Sequence, residues 1–483
     1  MNLAHRTLIV AMTRMLNRGL LLISPLILAR LLTVADFGRY REFLLYVTVL
    51  TGLAAFTFNS SLLRFVPRDP MSGWRYVNQS IVLTLICSTL VGALTLVLNT
   101  IFDGALIGHN ALPAVIYTWL FVNFDFWEAL WLAERRPYSM WGYTTGRLVA
   151  RITVVTVSAA LTREVNVIIW SLIGLETVRI LIAIHSWYGR NRVAPKGGAG
   201  SWAEQLRYCL PLGFAVMLAT FNKSLGGLFI TKMLGPVALA HYAIGTYAQP
   251  IITILRNSVS DVLLGEIAGG RDDNARALAL WRRSTVVTFI FLISYGIVLA
   301  RFADIVVTTL FSDAYRPAVP IFQIYVLALL RDSFDFSVPL RTINKTAPML
   351  RSNLVAIVLN GGLMLLMVPR WGMVGAVVSH VIARFVEGAL LAYQTMRAYQ
   401  IGLRDLADWG DLLKSSAAAV AAAVILYGTF WTESLGFAGA VLGSVLYLLL
   451  FVLLLRLAGV PEVTMLLRHA QGYSRALLAR FQA

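Results

Sequence analysis

Long apolar runs recur along almost the whole chain and are separated by short polar segments. An α-helix needs about 20 predominantly apolar residues to cross a bilayer, and we count about fourteen such runs. They predict an all-α polytopic membrane protein. The predicted spans, numbered one to fourteen, cover residues 8–32, 42–63, 77–101, 112–133, 139–161, 165–187, 207–233, 239–263, 282–302, 318–340, 347–369, 373–396, 412–431 and 436–456.

Basic residues outside the spans concentrate in alternate loops. If the N-terminus is cytoplasmic, the cytoplasmic segments hold most of them, for example Arg64, Arg68 and Arg75 between spans two and three. The opposite loops hold few, such as Arg163 and Arg370. This positive-inside bias predicts that both termini lie in the cytoplasm.

Composition narrows the class of protein further. Of the 483 residues 58% are hydrophobic and 13% are charged, whereas about a quarter are charged in soluble domains. The net charge of +17 falls largely in the cytoplasmic loops, which favours contact with anionic membrane lipids over nucleic acid. The two cysteines lie in apolar runs, the six histidines are scattered, and no nucleotide-binding or nucleophile motif occurs. We therefore predict no metal site and no bound cofactor.

A faint duplication relates the two halves of the chain. ARLLTVADFGRY (29–40) aligns without gaps with TKMLGPVALAHY (231–242), and FDFWEALWLAER (124–135) aligns with FDFSVPLRTINK (334–345). These matches pair span one with span seven and span four with span ten. Two six-helix lobes related by a pseudo-two-fold axis along the membrane normal would produce this pattern.

The duplication predicts five segments. An N-lobe (1–189) is followed by a polar cytoplasmic linker (190–204) and a C-lobe (205–398). Spans thirteen and fourteen form an additional segment (399–457). The tail (458–483) has apolar residues at helical spacing and arginines off that stripe, which predicts an amphipathic helix on the cytoplasmic membrane surface.

Three stretches resemble a known family. They are ARLLTVADFGRYREF after span one, LPLGFAVMLATFNKSLGGLFITKMLGPVALAHYAIG at span seven, and NKTAPMLRSNLVAIVLNGGLMLLMVPRWGMVGAVVSHVIARFVE across spans eleven and twelve. They are similar to the polysaccharide-transporter branch of the multidrug/oligosaccharidyl-lipid/polysaccharide (MOP) exporter superfamily, which includes O-antigen flippases of the Wzx type. The resemblance covers nearly the whole chain.

The resemblance implies a flippase of the bacterial cytoplasmic (inner) membrane, and not an enzyme. Such proteins move undecaprenyl-pyrophosphate-linked oligosaccharides, the repeat units of O-antigen in lipopolysaccharide, of capsule or of exopolysaccharide, from the cytoplasmic to the periplasmic leaflet by alternating access. It implies H⁺ or Na⁺ as the coupling ion. Polysaccharide polymerases and glycosyltransferases are the expected protein partners.

Two alternatives remain open from the sequence. A multidrug antiporter of the same fold would export organic cations and would favour a carboxylate-rich cavity, whereas basic residues outnumber acidic ones inside the predicted spans. A membrane-embedded polysaccharide polymerase or glycosyltransferase would favour long periplasmic loops, and the predicted outside loops are short.

Lys223 lies near the middle of span seven, where a lysine costs at least about 2.5–3.5 kcal/mol. Many members of the family carry an acidic residue around this position, so Asn222-Lys223 departs from the family pattern. The departure argues against a coupling role for this span and favours contact with an anion. We interpret Lys223 as a substrate-binding residue in a cavity between the lobes; a lysine that extends to the membrane interface is the alternative.

Pairs of like charge one helical turn apart occur in two other spans, Arg14/Arg18 in span one and Arg147/Arg151 in span five. Such pairs repel each other and are costly in lipid. We predict that they face an aqueous lumen, where guanidinium groups match the oxygens of a pyrophosphate. The candidate substrate-binding residues are Lys223, Arg14, Arg18, Arg147, Arg151 and Arg256.

Acidic residues within the spans offer a second interpretation. Asp125 and Glu128 of span four could neutralise the arginines of span five. Asp125 and Asp335 occupy matched places in the duplicated FDF triplets, where flanking phenylalanines favour a proton-carrying carboxylate. Arg331 lies one turn before Asp335 and could instead hold it ionised. The coupling or ion-pair candidates are Asp125, Glu128, Arg331 and Asp335.

Two further pairs have opposite charges three residues apart. They are Glu176/Arg179 in span six and Arg384/Glu387 in span twelve. Because residues at i and i+3 share a helix face, each pair is predicted to neutralise itself.

Overall fold

The regular secondary structure of the residues that the structure describes is helical, which confirms the all-α polytopic prediction. The computed structural model describes residues 13, 16, 17, 19, 20, 23–68, 73–104, 107–193, 201–247, 256, 259, 260, 263, 274–343, 345, 347–429 and 436–462. No strand occurs within these ranges. The candidate residues Arg14 and Arg18 and nearly all of the predicted tail helix lie outside the described residues.

The chain divides into two compact units, Met1–His241 and Tyr242–Ala483, called here the N-unit and the C-unit. The predicted boundaries of the lobes and linker stay a prediction, since part of the linker (194–200) lies outside the described residues. Residues 23–31 are helical. The helices that follow, up to the one that ends within the C-unit, are Val34–Ala55, Phe58–Arg68, Gly73–Ile101, Ala111–Val122, Trp127–Ala133, Pro137–Thr162, Val165–Val193 and Trp202–Gly245.

Span two is broken in the middle, which its hydrophobic pattern does not indicate. Helices Val34–Ala55 and Phe58–Arg68 meet at a bend of 40°. Phe56 and Thr57 between them have φ angles of 38° and 57°, a region that residues with a branched or bulky side chain rarely adopt. A Cβ at Gly213 of span seven would lie 2.6 Å from the Phe56 ring, so glycine is required where span seven crosses the bend.

The C-unit repeats this architecture of long helices with breaks. Beyond Tyr242 its helices are Asn274–Arg301, Ala303–Leu310, Val319–Asp332, Ser337–Thr342, Ala347–Tyr399, Leu403–Leu406, Trp409–Thr429 and Gly436–Leu457. Spans thirteen and fourteen belong to this unit, where Ala419, Tyr447 and Phe451 join a buried apolar cluster with Val286 and Phe289 of span nine.

Two of the longest helices are each interrupted by one glycine with a positive φ. Gly235 (φ 85°) interrupts Trp202–Gly245, and Gly372 (φ 54°) interrupts Ala347–Tyr399. Glycine suits both positions because it has no Cβ to clash in the left-handed region. Each helix therefore contains one complete predicted span before the break and all or part of a second one after it.

In the described part of the chain, seven helices are individually long and apolar enough to cross a membrane, or eight if the bent pair is one span. Spans four and ten are absent from that set because each is divided into two shorter helices. The predicted number of about fourteen spans remains a prediction.

The FDF triplets occupy the two divisions. Phe124–Phe126 lies between helices Ala111–Val122 and Trp127–Ala133, and Phe334–Phe336 lies between Val319–Asp332 and Ser337–Thr342. The duplicated sequence therefore adopts the same local arrangement in each unit: a helix, a break that contains the aspartate, and a short helix.

Candidate functional site

A partly buried network of ion pairs surrounds the break in span four. Arg147 of span five donates to Asp125 Oδ1 at 2.6 Å and pairs with Glu176 of span six at 3.2 Å. Glu176 also pairs with Arg179, as its spacing predicts. Glu176 and Arg179 are 2% and 9% exposed. We call Asp125, Arg147, Glu176 and Arg179 the N-unit ion-pair cluster.

Arg179 explains how span four tolerates its break within the membrane. A helix that ends at Val122 leaves main-chain carbonyls without intrahelical donors, and in lipid each unsatisfied group costs several kcal/mol. Arg179 donates to the carbonyl oxygens of Leu120, Phe121 and Asn123, the last at 3.0 Å. One guanidinium therefore caps the broken helix while it neutralises Glu176.

Arg151 differs from Arg147, although both are on span five. It interacts with the aromatic hydroxyls of Tyr40 and Tyr117 and at longer range with Glu176, and no carboxylate in the described part of the chain lies within 4 Å of it. Its charge is half-buried. Glu128, the other acid expected near span five, is exposed and is not free of partners.

Lys223 is exposed on its helix. It forms no ion pair or hydrogen bond with the residues that the structure describes. This exposure fits either a position along an aqueous cavity or one towards an interface. The assignment of Lys223 to a cavity stays a prediction.

A second network, in the C-unit, brings together three arginines and two acids. Arg384 donates to Asp332 and, at 2.8 Å, to Glu387. Arg331 pairs with the same two acids at 3.7 Å and 3.5 Å, and Arg256 lies 3.4 Å from Asp332. We call these five residues the C-unit ion-pair cluster.

The expected pairing of Arg331 with Asp335 does not form. Asp335 instead accepts hydrogen bonds from the Ser260 hydroxyl at 2.6 Å and from the main-chain N–H of Ser337 at 3.1 Å. The helix ends at Asp332, so residues 331 and 335 no longer lie one turn apart on a common face. Sequence spacing predicted the wrong partner because it assumed a continuous helix.

Arg331 lies tightly against span twelve. A Cβ at position 388 would lie 3.1 Å from its Nε, so Gly388 makes room for the side chain. The Nε atoms of Arg331 and of Arg256 have no hydrogen-bond partner within the described ranges. This cluster therefore keeps unused donors.

A cavity of about 10 Å³ adjoins Asp335. It is lined by Arg256, Ser260, Thr285, Ser333 and Asp335, among others, and its volume suffices for about one water molecule. Over the described ranges, no three His, Cys, Asp or Glu side chains form a group that could hold a metal ion.

Several residues of the two clusters were not candidates from the sequence. Asp332 pairs with three arginines. In the sequence, only its position inside an apolar span sets it apart. Glu176, Arg179, Arg384 and Glu387 were interpreted as local pairs, and both local pairs form. The extra partners come from other helices, which spacing along one helix does not reveal.

Known structures share the fold. At a TM-score of 0.70 and 13% identity, the chain is similar to the lipid II flippase MurJ in an inward closed conformation, over 92% of this chain and 98% of that one. The chain is also similar to an inward-facing multidrug resistance MATE family transporter of the MOP superfamily, with a TM-score of 0.58 and 14% identity. This match covers 81% of this chain and 99% of that one. A third similar structure is a MOP superfamily transporter from Pyrococcus furiosus with a binding pocket of reversed polarity. Its TM-score is 0.50 and its identity 14%, over 81% of this chain and 93% of that one.

No curated protein sequence matches the chain. A family described as "Polysaccharide biosynthesis protein" matches residues 27–320, more than half of the chain. The chain therefore belongs to the polysaccharide biosynthesis protein family and has the fold of MOP-superfamily flippases and transporters.

Proposed function

We propose that the chain is a flippase that moves undecaprenyl-pyrophosphate-linked oligosaccharide from the cytoplasmic to the periplasmic leaflet of a bacterial inner membrane by alternating access. The family and the fold support a transporter of lipid-linked oligosaccharide. Movement of the headgroup makes and breaks no covalent bond, so the proposed activity is not enzymatic.

The observation that carries the proposal is the state of two cations in predicted spans. Arg151 and Lys223 form no ion pair within 4 Å among the described residues, whereas Arg147 pairs with both Asp125 and Glu176. An unpaired cation in a span is stabilised when it faces water or binds an anion. The pyrophosphate would supply that anion, and the polyprenyl chain would stay in lipid.

The same charges argue against an organic cation as substrate. Asp125, Glu176, Asp332 and Glu387 are each paired with at least one arginine. A cationic drug would have to displace an arginine to reach any of these four carboxylates. An anionic headgroup needs no such exchange at Arg151 or Lys223.

Partners and orientation follow from the same proposal. Glycosyltransferases would supply the lipid-linked oligosaccharide at the cytoplasmic face, and a polysaccharide polymerase would take it on the other side. Both termini would lie in the cytoplasm, in accordance with the distribution of basic residues.

The test is a flipping assay with the purified chain in proteoliposomes. A fluorescent undecaprenyl-pyrophosphate oligosaccharide in the inner leaflet becomes accessible to an impermeant quencher when it is flipped. We expect Lys223→Ala to slow this movement about tenfold or more, because a hydrogen bond to a charged group contributes about 1.5–3 kcal/mol. Lys223→Arg should keep part of the activity, since the charge remains.

Lys345→Ala is the matched control, because Lys345 is an exposed lysine between spans ten and eleven. It should flip the substrate at the wild-type rate. A wild-type chain that moves ethidium but not the oligosaccharide would overturn the proposal in favour of the multidrug antiporter. Full activity of Lys223→Ala would remove Lys223 from the substrate path.

A further inference from the structure

His380 is a histidine in a predicted span that the proposed function has not used. It lies on span twelve, beyond the break at Gly372, and is half-buried. Its ring stacks on Tyr325 of span ten with the ring centroids 5.6 Å apart and the planes at 10°. Its Nε2 lies 3.4 Å from the Tyr325 hydroxyl.

The charges that face His380 come from the C-unit ion-pair cluster. Arg384 follows it by one turn on the same helix, and Asp332 faces it from span ten. The hydroxyl of Tyr242, at the start of span eight, interacts with Tyr325. Burial disfavours a protonated imidazole here, Arg384 repels it and Asp332 attracts it.

The balance between repulsion and attraction depends mainly on the ion pair between Arg384 and Asp332, because Arg256 and Arg331 lie farther from Asp332, at 3.4 Å and 3.7 Å. As long as Arg384 donates to Asp332, the carboxylate is neutralised and a charged imidazole gains little from it. Arg384 already has a second acceptor, Glu387, at 2.8 Å. If Arg384 bonds to Glu387 alone, the Asp332 carboxylate loses its nearest arginine and can stabilise a proton on His380.

Histidine is suited to such a switch because its charge changes in the physiological pH range. An ionisable residue within a span is by default a sign of function. Protonation of His380 therefore competes with the ion pair between Arg384 and Asp332. This competition would link proton uptake to the contact between spans ten and twelve.

We propose that His380 is a proton-binding residue of the C-unit, which takes up a proton when Arg384 leaves Asp332 and thereby couples a proton gradient to transport. This rests on the proposed transport function. It identifies the coupling ion as H⁺ and places its site at His380, not at the aspartates of the FDF triplets.

The first experiment measures coupling in proteoliposomes. Movement of the fluorescent lipid-linked oligosaccharide is compared with and without an imposed pH gradient, and the ratio of the two rates is the readout. The wild-type ratio should exceed one, and His380→Gln, which keeps a hydrogen-bonding side chain but does not titrate, should bring it to about one. Tyr325→Phe keeps the imidazole and should keep a ratio above one.

The matched control is His185→Gln, because His185 is an exposed histidine on span six. Its ratio should equal that of the wild type. A His380→Gln chain that still responds fully to the gradient would overturn the proposal while leaving the proposed flippase function intact.

A second readout needs no substrate. The intrinsic fluorescence of the purified chain is followed between about pH 5 and 8, the range in which histidine titrates. A pH response that is present in the wild type and in His185→Gln, and absent in His380→Gln, supports the proposal even if no oligosaccharide is moved. An identical response in all three chains overturns it.

Discussion

The two units contain the same broken-span motif but surround it with different charges. In the N-unit, the aspartate of the FDF triplet is an ion-pair partner: Asp125 holds Arg147 at 2.6 Å. In the C-unit, the Asp335 carboxylate accepts from a hydroxyl and a main-chain N–H and forms no ion pair within 4 Å among the described residues, and the arginines converge three residues earlier on Asp332. The backbone break is shared, whereas the position of the ionic contact has moved.

Spans six and twelve, the last predicted span of each lobe, carry their paired charges in opposite order. Span six reads Glu176-x-x-Arg179, and span twelve reads Arg384-x-x-Glu387. In span six the arginine caps the carbonyls of the break, and in span twelve the arginine reaches the acid that precedes the break. Duplicated backbone geometry therefore does not require duplicated electrostatics.

The largest effect should come from the acid that the sequence did not single out. Asp332→Asn would leave three arginines with only Glu387 as a carboxylate partner. Breaking a buried pair costs about 3–5 kcal/mol because an uncompensated charge remains. We expect a marked fall in the thermal unfolding midpoint of the purified chain in detergent.

An intermediate effect is expected at the cap of span four. Arg179→Lys keeps the charge beside Glu176 but loses the planar fork that reaches several carbonyls at once. The loss should be about 1.5–3 kcal/mol, read as a lowered unfolding midpoint. Arg192→Lys, an exposed arginine on the same helix, is the control, and equal midpoints for both variants would show that the capping contacts contribute nothing.

The smallest effect should come from the matched aspartate of the C-unit. Asp335→Asn keeps one acceptor oxygen for the N–H of Ser337, and its amide nitrogen can donate to the Ser260 hydroxyl, so a loss of about 0.5–1.5 kcal/mol is expected. The matched comparison is Asp332→Asn, the same substitution three residues earlier. If Asp335→Asn lowers the unfolding midpoint as much as Asp332→Asn, the two FDF aspartates are equivalent after all, and the contrast between the units is wrong.

Much of the fold follows from the sequence because burial in lipid imposes a simple rule on long apolar helices. The apolar runs predicted the membrane-spanning character, and the FDF duplication predicted matched segments in spans four and ten. The bend at Phe56–Thr57 was not predictable, since neither residue favours a left-handed backbone. It depends on Gly213 of a distant span, and hydropathy along one run carries no such information.

The candidate site was predictable only at the level of residue types. The sequence identified which spans carry charge, and it correctly expected the pairs three residues apart. It could not assign partners between helices, so Arg147 and Arg331 gained contacts with Glu176 and Glu387 that no spacing suggested. Partner choice depends on where helices end and which faces meet, and both are set by tertiary packing.

The cap on span four also constrains how this sequence can change over evolutionary time. Arg179 contacts main-chain oxygens of residues 120, 121 and 123, which every amino acid presents. Side chains at those positions can therefore drift without loss of the contact, whereas position 179 cannot. Among related sequences, we expect an arginine that is retained opposite a segment whose own residues vary.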